Sequence, residues 1–152
     1  MFIGITEKGD AALNHDWKFW VDVVGNPAIL ITKDPLKLSK ELTKDSNVIV
    51  HCSITGLPKE IELNVPSTED QIKGLKIIQS IIGYERVVLR VDPIICEGYS
   101  CALSIINNVK AHRLRVSFLD YYNHVRKRFE TNNLYLNQDF HAPIDQRLKN
   151  IK

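Results

Sequence analysis

Val48-Ile49-Val50-His51-Cys52-Ser53-Ile54 is the stretch whose reading decides the fold. It is short, rich in β-branched residues and almost continuously apolar, which fits a strand covered on both faces better than a half-exposed strand with alternating character. The residues that follow supply its partner. Ser67 offers an N-cap, Glu69 and Asp70 lie near the positive end of the helix it would start, and Ile72, Leu75, Ile78 and Ile82 form an apolar stripe at helical spacing before Gly83. Strand character then returns at Val87 to Val91. A strand, a crossover helix and a second strand in that order make a parallel unit.

Outward from this unit the same alternation continues. Strand-like runs occur at Phe2 to Thr6, Ala28 to Thr32 and Leu114 to Phe118. A first helix is expected from Asn14 or Asp16, burying Trp17, Trp20, Val21 and Val24 before the Gly25-Asn26-Pro27 break. After the second strand, Asp34-Pro35 gives an N-cap with proline at the first helical position, and Leu36, Leu38 and Leu42 follow. A fourth helix is expected from about Ser100 through Leu103, Ile106 and Val109, and a fifth around Val125 and Phe129. The expected fold class is α/β, built of parallel (β/α) repeats, in one domain of 152 residues with an irregular tail from about Asn132 and a short helix after Pro143. A flavodoxin-like doubly wound sheet also uses five strands in such a length, and the sequence does not give strand order.

Composition narrows the function classes. Twenty basic and 18 acidic residues, spread along the chain, leave a net charge of +2, so no general attraction to nucleic acid or anionic lipid is expected. The one basic cluster, His124-Val125-Arg126-Lys127-Arg128, reads as a solvated helix face. No apolar run approaches the roughly 18 residues of a membrane span. The N-terminus lacks the pattern of a secretory signal, so a cytoplasmic location is the expectation. Cys52, Cys96 and Cys101 lack the paired short spacings of a zinc site and read as reduced thiols, with no metal site.

Parallel crossovers bring the carboxyl ends of all strands to one edge, where α/β proteins place their sites. The residues at those ends are polar throughout: Thr6-Glu7-Lys8 and Asp10, then Thr32-Lys33-Asp34, then His51, Ser53, Thr55 and Gly56, then Arg90 and Asp92, then Ser117 and Asp120. Helix caps account for some of them, Asp34 above all. Arg90 and Asp92 are different, because they interrupt the apolar Val-Val-Leu-Arg-Val-Asp-Pro-Ile-Ile segment, where charge is costly unless it is paired or faces a polar cavity. Strand alternation puts both on one side. Their structural alternative is a pair that satisfies itself. His51 shares a face with Ser53 and Thr55, although a lone strand histidine is commonly a satisfied core residue. Lys8 and Lys33 are candidates for holding a carboxylate or phosphate. No dinucleotide fingerprint, Walker loop or nucleophile elbow is present, and the two acids of Glu7-Lys8-Gly9-Asp10 argue against a phosphate cradle at that turn.

Four segments in order carry a family resemblance: Ala28-Ile29-Leu30-Ile31-Thr32-Lys33-Asp34-Pro35-Leu36, Ser53-Ile54-Thr55-Gly56, Glu62-Leu63-Asn64-Val65-Pro66-Ser67 and Arg90-Val91-Asp92-Pro93-Ile94-Ile95. They resemble the radical S-adenosylmethionine proteins related to spore photoproduct lyase, and more closely an uncharacterised bacterial family from that neighbourhood, over about Gly25 to Tyr121. The resemblance implies a partial TIM-type barrel with its ligands at the strand carboxyl ends, and points to Thr32, Lys33, Thr55, Pro66, Ser67, Arg90 and Asp92. With His51 and Asp120 from the reading of the strands, the candidate ligand-binding set is Lys33, Thr55, Arg90, Asp92, Thr32, Ser67, His51 and Asp120.

The departures shape the functional expectation. Enzymes of that kind hold a four-iron cluster on three closely spaced cysteines after the first strand, and Thr6 to Asp16 contains none. The resemblance also implies further cysteines beyond the point corresponding to Lys152, so the chain reads as a shortened relative without its cluster. The expectation is a radical-SAM-like partial barrel that binds a small polar or anionic molecule, with S-adenosylmethionine as the cofactor the resemblance names and no iron–sulfur cluster. The alternative is a non-catalytic binding or interaction protein that reuses the scaffold. Five units cannot close an eight-stranded barrel, so the sheet is expected to stay open, to pair with another chain or to be covered by the tail, and an exposed edge would favour a homodimer.

Overall fold

The β-branched runs form strands close to where their sequence places them. A computed structural model describes residues 3–4, 9–95, 99–119 and 122–131. Its strands are β1 (Ile3–Gly4), β2 (Ala28–Thr32), β3 (Val48–Ser53), β4 (Val87–Ile94) and β5 (Arg113–Phe118). They make one five-stranded sheet in the order β1-β2-β3-β4-β5, and every neighbouring pair is parallel. The protein is therefore α/β with a parallel sheet. The expected tail from Asn132, with its helix after Pro143, lies outside the described residues.

Among the described residues five helices follow the strands in turn: α1 (Asp16–Val24), α2 (Pro35–Leu38), α3 (Thr68–Ile82), α4 (Tyr99–Asn108) and α5 (Asn123–Thr131). Local chemistry sets their ends. The Ser67 hydroxyl accepts the Asp70 N–H at 3.1 Å to start α3, and the Asp34 carboxylate accepts the Lys37 N–H at 2.9 Å to start α2. Gly25, at φ 67°, ends α1 in the left-handed conformation that glycine adopts without a Cβ clash. Helix α2 is shorter than its leucines predicted. The chain tightens into a 3₁₀ turn over Ser39–Glu41, with the Ser39 hydroxyl bonded to the Leu36 carbonyl, and Leu42 is already extended.

The core lies against one face of the sheet. Ala28, Leu30, Val48, Val50, Cys52, Val87, Leu89 and Val91 are each at most 1% exposed, and they cluster with Trp17, Val21, Leu75, Ile78, Ile82 and Ile105 from the helices. The alternate positions on the other face, Ile29, Ile31, Ile49 and His51, are only half-buried. The continuous apolar runs predicted strands covered on both faces. The finding is one face sealed by helices over β2 to β4 and a second face partly open, while on β5 even Leu114 and Val116, in register with the buried Leu89 and Val91, are exposed.

Two helix readings need correction on the same physical ground. Trp17 and Val21 are buried one turn apart on α1, whereas Trp20 is 44% exposed and meets the exposed Phe19 edge to face. On α4 the buried stripe is Ala102 and Ile105, continued by Val109 just beyond the helix, and Leu103 faces outward. Trp17, Val21 and Val109 are buried as expected and Ile106 packs against the core, so the reading of these helices erred at Trp20 and Leu103.

Gly74 fixes how α3 meets α2. A Cβ there would lie 2.2 Å from the Leu36 amide nitrogen and 2.6 Å from the Pro35 carbonyl carbon, so only glycine lets the two backbones approach this closely. That contact holds the turn after β2, and with it Lys33, against α3. Among the described residues no helix is long and apolar enough to cross a membrane.

Candidate functional site

Asp10 organises the rim at the end of β2. Its Oδ1 accepts the Ala12 N–H at 2.8 Å and the Thr32 hydroxyl at 2.6 Å, and its Oδ2 accepts the Lys33 N–H at 2.5 Å. Thr32, 1% exposed, uses the same hydroxyl to accept the Asp34 N–H at 2.9 Å. Two further bonds dock this loop: Ala11 donates its N–H to the Ile31 carbonyl at 3.1 Å, and the Trp17 indole donates to the Ala11 carbonyl at 3.2 Å. A carboxylate receiving three such donors is held in one position, since bonds to a charged acceptor are the stronger class.

Arg90 and Asp92 project to the same side of β4, and they do pair. Arg90 Nε donates to Asp92 Oδ2 at 2.8 Å, and one terminal nitrogen donates to that same oxygen. Both side chains remain about one-fifth exposed. The pairing is side-on to one oxygen rather than a two-oxygen fork, and among the described residues the second Arg90 terminal nitrogen and Asp92 Oδ1 have no side-chain partner. Ser53, in register with Arg90, donates its hydroxyl to the Asp92 carbonyl at 3.3 Å. The Asp92–Pro93 peptide is cis.

Lys33 and Thr55 meet through a residue outside the expected set. The Lys33 ammonium pairs with Glu62 Oε1, and the Thr55 hydroxyl donates to Glu62 Oε2. Glu62 thus ties the turn after β2 to the turn after β3. Gln71, 2% exposed on α3, makes the same tie from below, donating from Nε2 to the Lys33 carbonyl at 2.8 Å and to the Ser53 carbonyl at 3.2 Å.

These elements surround a hollow of about 340 Å³ whose polar lining is Asp10, Thr32, Lys33, Ser53, Arg90 and Asp92, completed by Gly9 and Ile31. Of the expected residues, Thr32, Lys33, Arg90 and Asp92 are brought together there. Thr55 is fully inside the fold and acts through Glu62, while Ser67 caps α3 and lies outside the lining. His51 sits one step back along β3, in register with Ile31 and Val88. Burial, then the charges of Arg90 and Arg115, hold its pKa below the ordinary histidine value. Asp120, Thr6, Glu7 and Lys8 lie outside the described residues.

Three members of this network escaped sequence reasoning as site residues. Asp10 was visible only as one more polar residue after the first strand, because its role depends on Thr32 and Lys33, more than 20 residues away. Glu62 lies in a segment without regular structure. Gln71 did carry a signal: it falls on the stripe that continues through Leu75, Ile78 and Ile82, so it is a polar side chain at a buried helical position.

Among the described residues the hollow offers two cations and two carboxylates, a donor set suited to a small molecule with both polar and charged groups. The described cysteines do not fit a cluster site. Cys52 faces the sealed core at 0% exposure, where burial and then the charge of Asp10 push its thiol pKa up, away from the thiolate a cluster requires. Cys101 is exposed on α4, and Cys96 lies outside the described residues. Among the described residues no three His, Cys, Asp or Glu side chains gather in a metal-holding group.

Residues 24–152 match the family described as Domain of unknown function (DUF1848). No curated protein and no solved structure matches the chain. The family match spans β2 to Lys152, and so includes the described polar lining except Asp10.

Proposed function

The chain belongs to the DUF1848 family, and on that premise we propose that it is a radical-SAM-like partial TIM-type barrel whose carboxyl-end hollow binds a small polar or anionic molecule without an iron–sulfur cluster. The observation that carries the reading is convergence. Side chains from the ends of β2, β3 and β4, with the Asp10 loop, point into one hollow at the edge where barrel proteins keep their sites. Two features support a partial barrel over a flavodoxin-like sheet. Sequential strand order suits successive barrel units, whereas the doubly wound alternative runs 2-1-3-4-5. A doubly wound sheet is also covered by helices on both faces, and here the core clusters on one.

Within the hollow, Arg90 and Lys33 suit an anionic group, and Asp10 and Asp92 suit a hydrogen-bond donor or an ammonium. S-adenosylmethionine carries both kinds of group and is the compound that the resemblance names. A thermal-shift screen of small polar metabolites, including S-adenosylmethionine, tests the proposal on wild type and Arg90→Ala. A bound compound at a hundredfold excess over its dissociation constant should stabilise the wild type by about 2.7 kcal/mol, and the shift should vanish in the variant. Equal shifts in both proteins would remove Arg90 from the site, and no shift with any compound would sink the reading. Anaerobic purification with iron and sulfide assays should return a colourless protein without stoichiometric iron.

A second reading, an interaction protein that reuses the scaffold, draws on the outward-facing Phe19, Trp20 and Val23 of α1. It predicts that α1 substitutions change partner capture while ligand shifts at the hollow stay the same.

A further inference from the structure

The second face of the sheet carries positive charge that its own carboxylate does not neutralise. Parallel register places Arg90 between Ser53 on β3 and Arg115 on β5, so the two arginines are neighbours on one face. Arg113, in register with Val88, takes that face as well. Across β2 to β5 the only carboxylate on this face is Asp92, and it is already paired with Arg90. Among the described residues no ion pair or hydrogen bond engages Arg113 or Arg115. Like charges directly opposite on adjacent strands are destabilising, so this arrangement calls for a counter-charge.

His51 supplies an independent observation on the neighbouring strand. Its Nδ1 is buried with no hydrogen-bond partner among the described residues, an arrangement that costs free energy unless something else completes it. Both Arg90 and Arg115 act electrostatically on its ring, which puts the three side chains in one field. Charged residues on an edge strand also discourage edge-to-edge pairing, and that alone would explain β5. It does not explain an orphaned ring nitrogen on the interior strand β3. An oxyanion relieves the arginines directly, and it can accept from the imidazole as well where the His51 ring turns its buried N–H toward the open face.

We propose that this face holds the phosphate group of a small phosphorylated molecule among Arg90, Arg115 and His51, with half-buried Ile31 and Ile49 beneath its organic part. A phosphate matches the site better than a carboxylate because it brings up to two negative charges and three acceptor oxygens to two guanidiniums and an imidazole. The inference rests on the ligand-binding reading above and names the ligand's charged group.

The test uses phenyl phosphate and inorganic phosphate as probes and benzoate as the carboxylate control. Binding is followed by calorimetry and by the imidazole resonances of His51. Phenyl phosphate should bind more tightly than inorganic phosphate, benzoate should bind far more weakly, and the His51 signals should move with saturation. Arg115→Gln, an exposed edge position, should weaken phenyl phosphate about tenfold or more, whereas Arg126→Gln on α5, the same loss of charge elsewhere, should leave it unchanged. Equal weakening by the two variants, equal binding of benzoate, or static His51 signals during binding would each overturn the proposal. So would a single-stranded oligonucleotide whose affinity rises with length, which would make the partner a nucleic acid. A non-phosphorylated compound that shifts wild type but not Arg90→Ala, with no phosphate binding, would sink this inference and leave the broader reading standing.

Discussion

The two faces of the same strands are built on different physics. On one, Leu30, Val50 and Leu89 are removed from water and held by side chains of α1, α3 and α4. On the other, Ile31, His51 and Arg90 stay within reach of solvent, and order at the rim comes from hydrogen bonds centred on Asp10, Asp92 and Glu62. The first face stabilises the fold through area; the second holds particular atoms in particular places. On β2 and β3 stability and site are thereby separated by a single residue step along the strand.

The sharpest way to break this comparison is a neighbouring pair. Leu30→Ala should cost about 3–4 kcal/mol in urea unfolding, as truncation of a fully buried leucine does, while Ile31→Ala, next in sequence on the open face, should cost about 1 kcal/mol. Equal losses would mean that both faces are core. Next in size, Asp10→Ala removes the acceptor for the Thr32 hydroxyl and the Lys33 and Ala12 amides, and should cost about 2 kcal/mol. Asp10→Asn should recover part of that, since one of its two atoms still accepts. If Asp10→Ala is neutral, the rim network is decorative.

The smallest expected effect is a pH dependence. Because the folded-state pKa of His51 is lowered, the unfolded chain binds a proton that the folded chain does not as pH falls below the ordinary histidine value of about 6.5. Stability attributable to this residue is therefore complete above that pH and declines below it, down to the lowered folded value. Unfolding measured from neutral to mildly acidic pH should show a shallower decline in His51→Gln than in wild type. Parallel curves would mean that the imidazole is not perturbed by its surroundings.

Much of the fold was legible because its signals are local. Continuous β-branched runs gave β2, β3 and β4 to within a few residues, and Asp34, Ser67, Gly25 and Gly83 marked helix ends through chemistry that acts over three or four positions. Arg90 and Asp92 stood out because charge inside an apolar run has few explanations. What escaped was set by contacts distant in sequence. Apolar character says that Ile29, Ile31 and Ile49 avoid water, but not whether a helix is delivered to cover them. Trp20 on α1 and Leu103 on α4 were misplaced for the same reason, since apolar character alone does not say which side chains of a helix meet the sheet. Asp10 and Glu62 gain their roles only when distant turns arrive beside them, whereas Gln71 was readable in principle as a polar side chain on an otherwise buried stripe.

The strand order has a kinetic consequence. Spatial neighbours are also chain neighbours, so each strand joins the sheet by closing a loop no longer than one crossover, and loop-closure entropy grows only slowly with such lengths. A doubly wound order would require a strand to be inserted beside one formed earlier. Here assembly can proceed by accretion from β3-α3-β4 outward, and every strand added lengthens the polar rim by one more residue set.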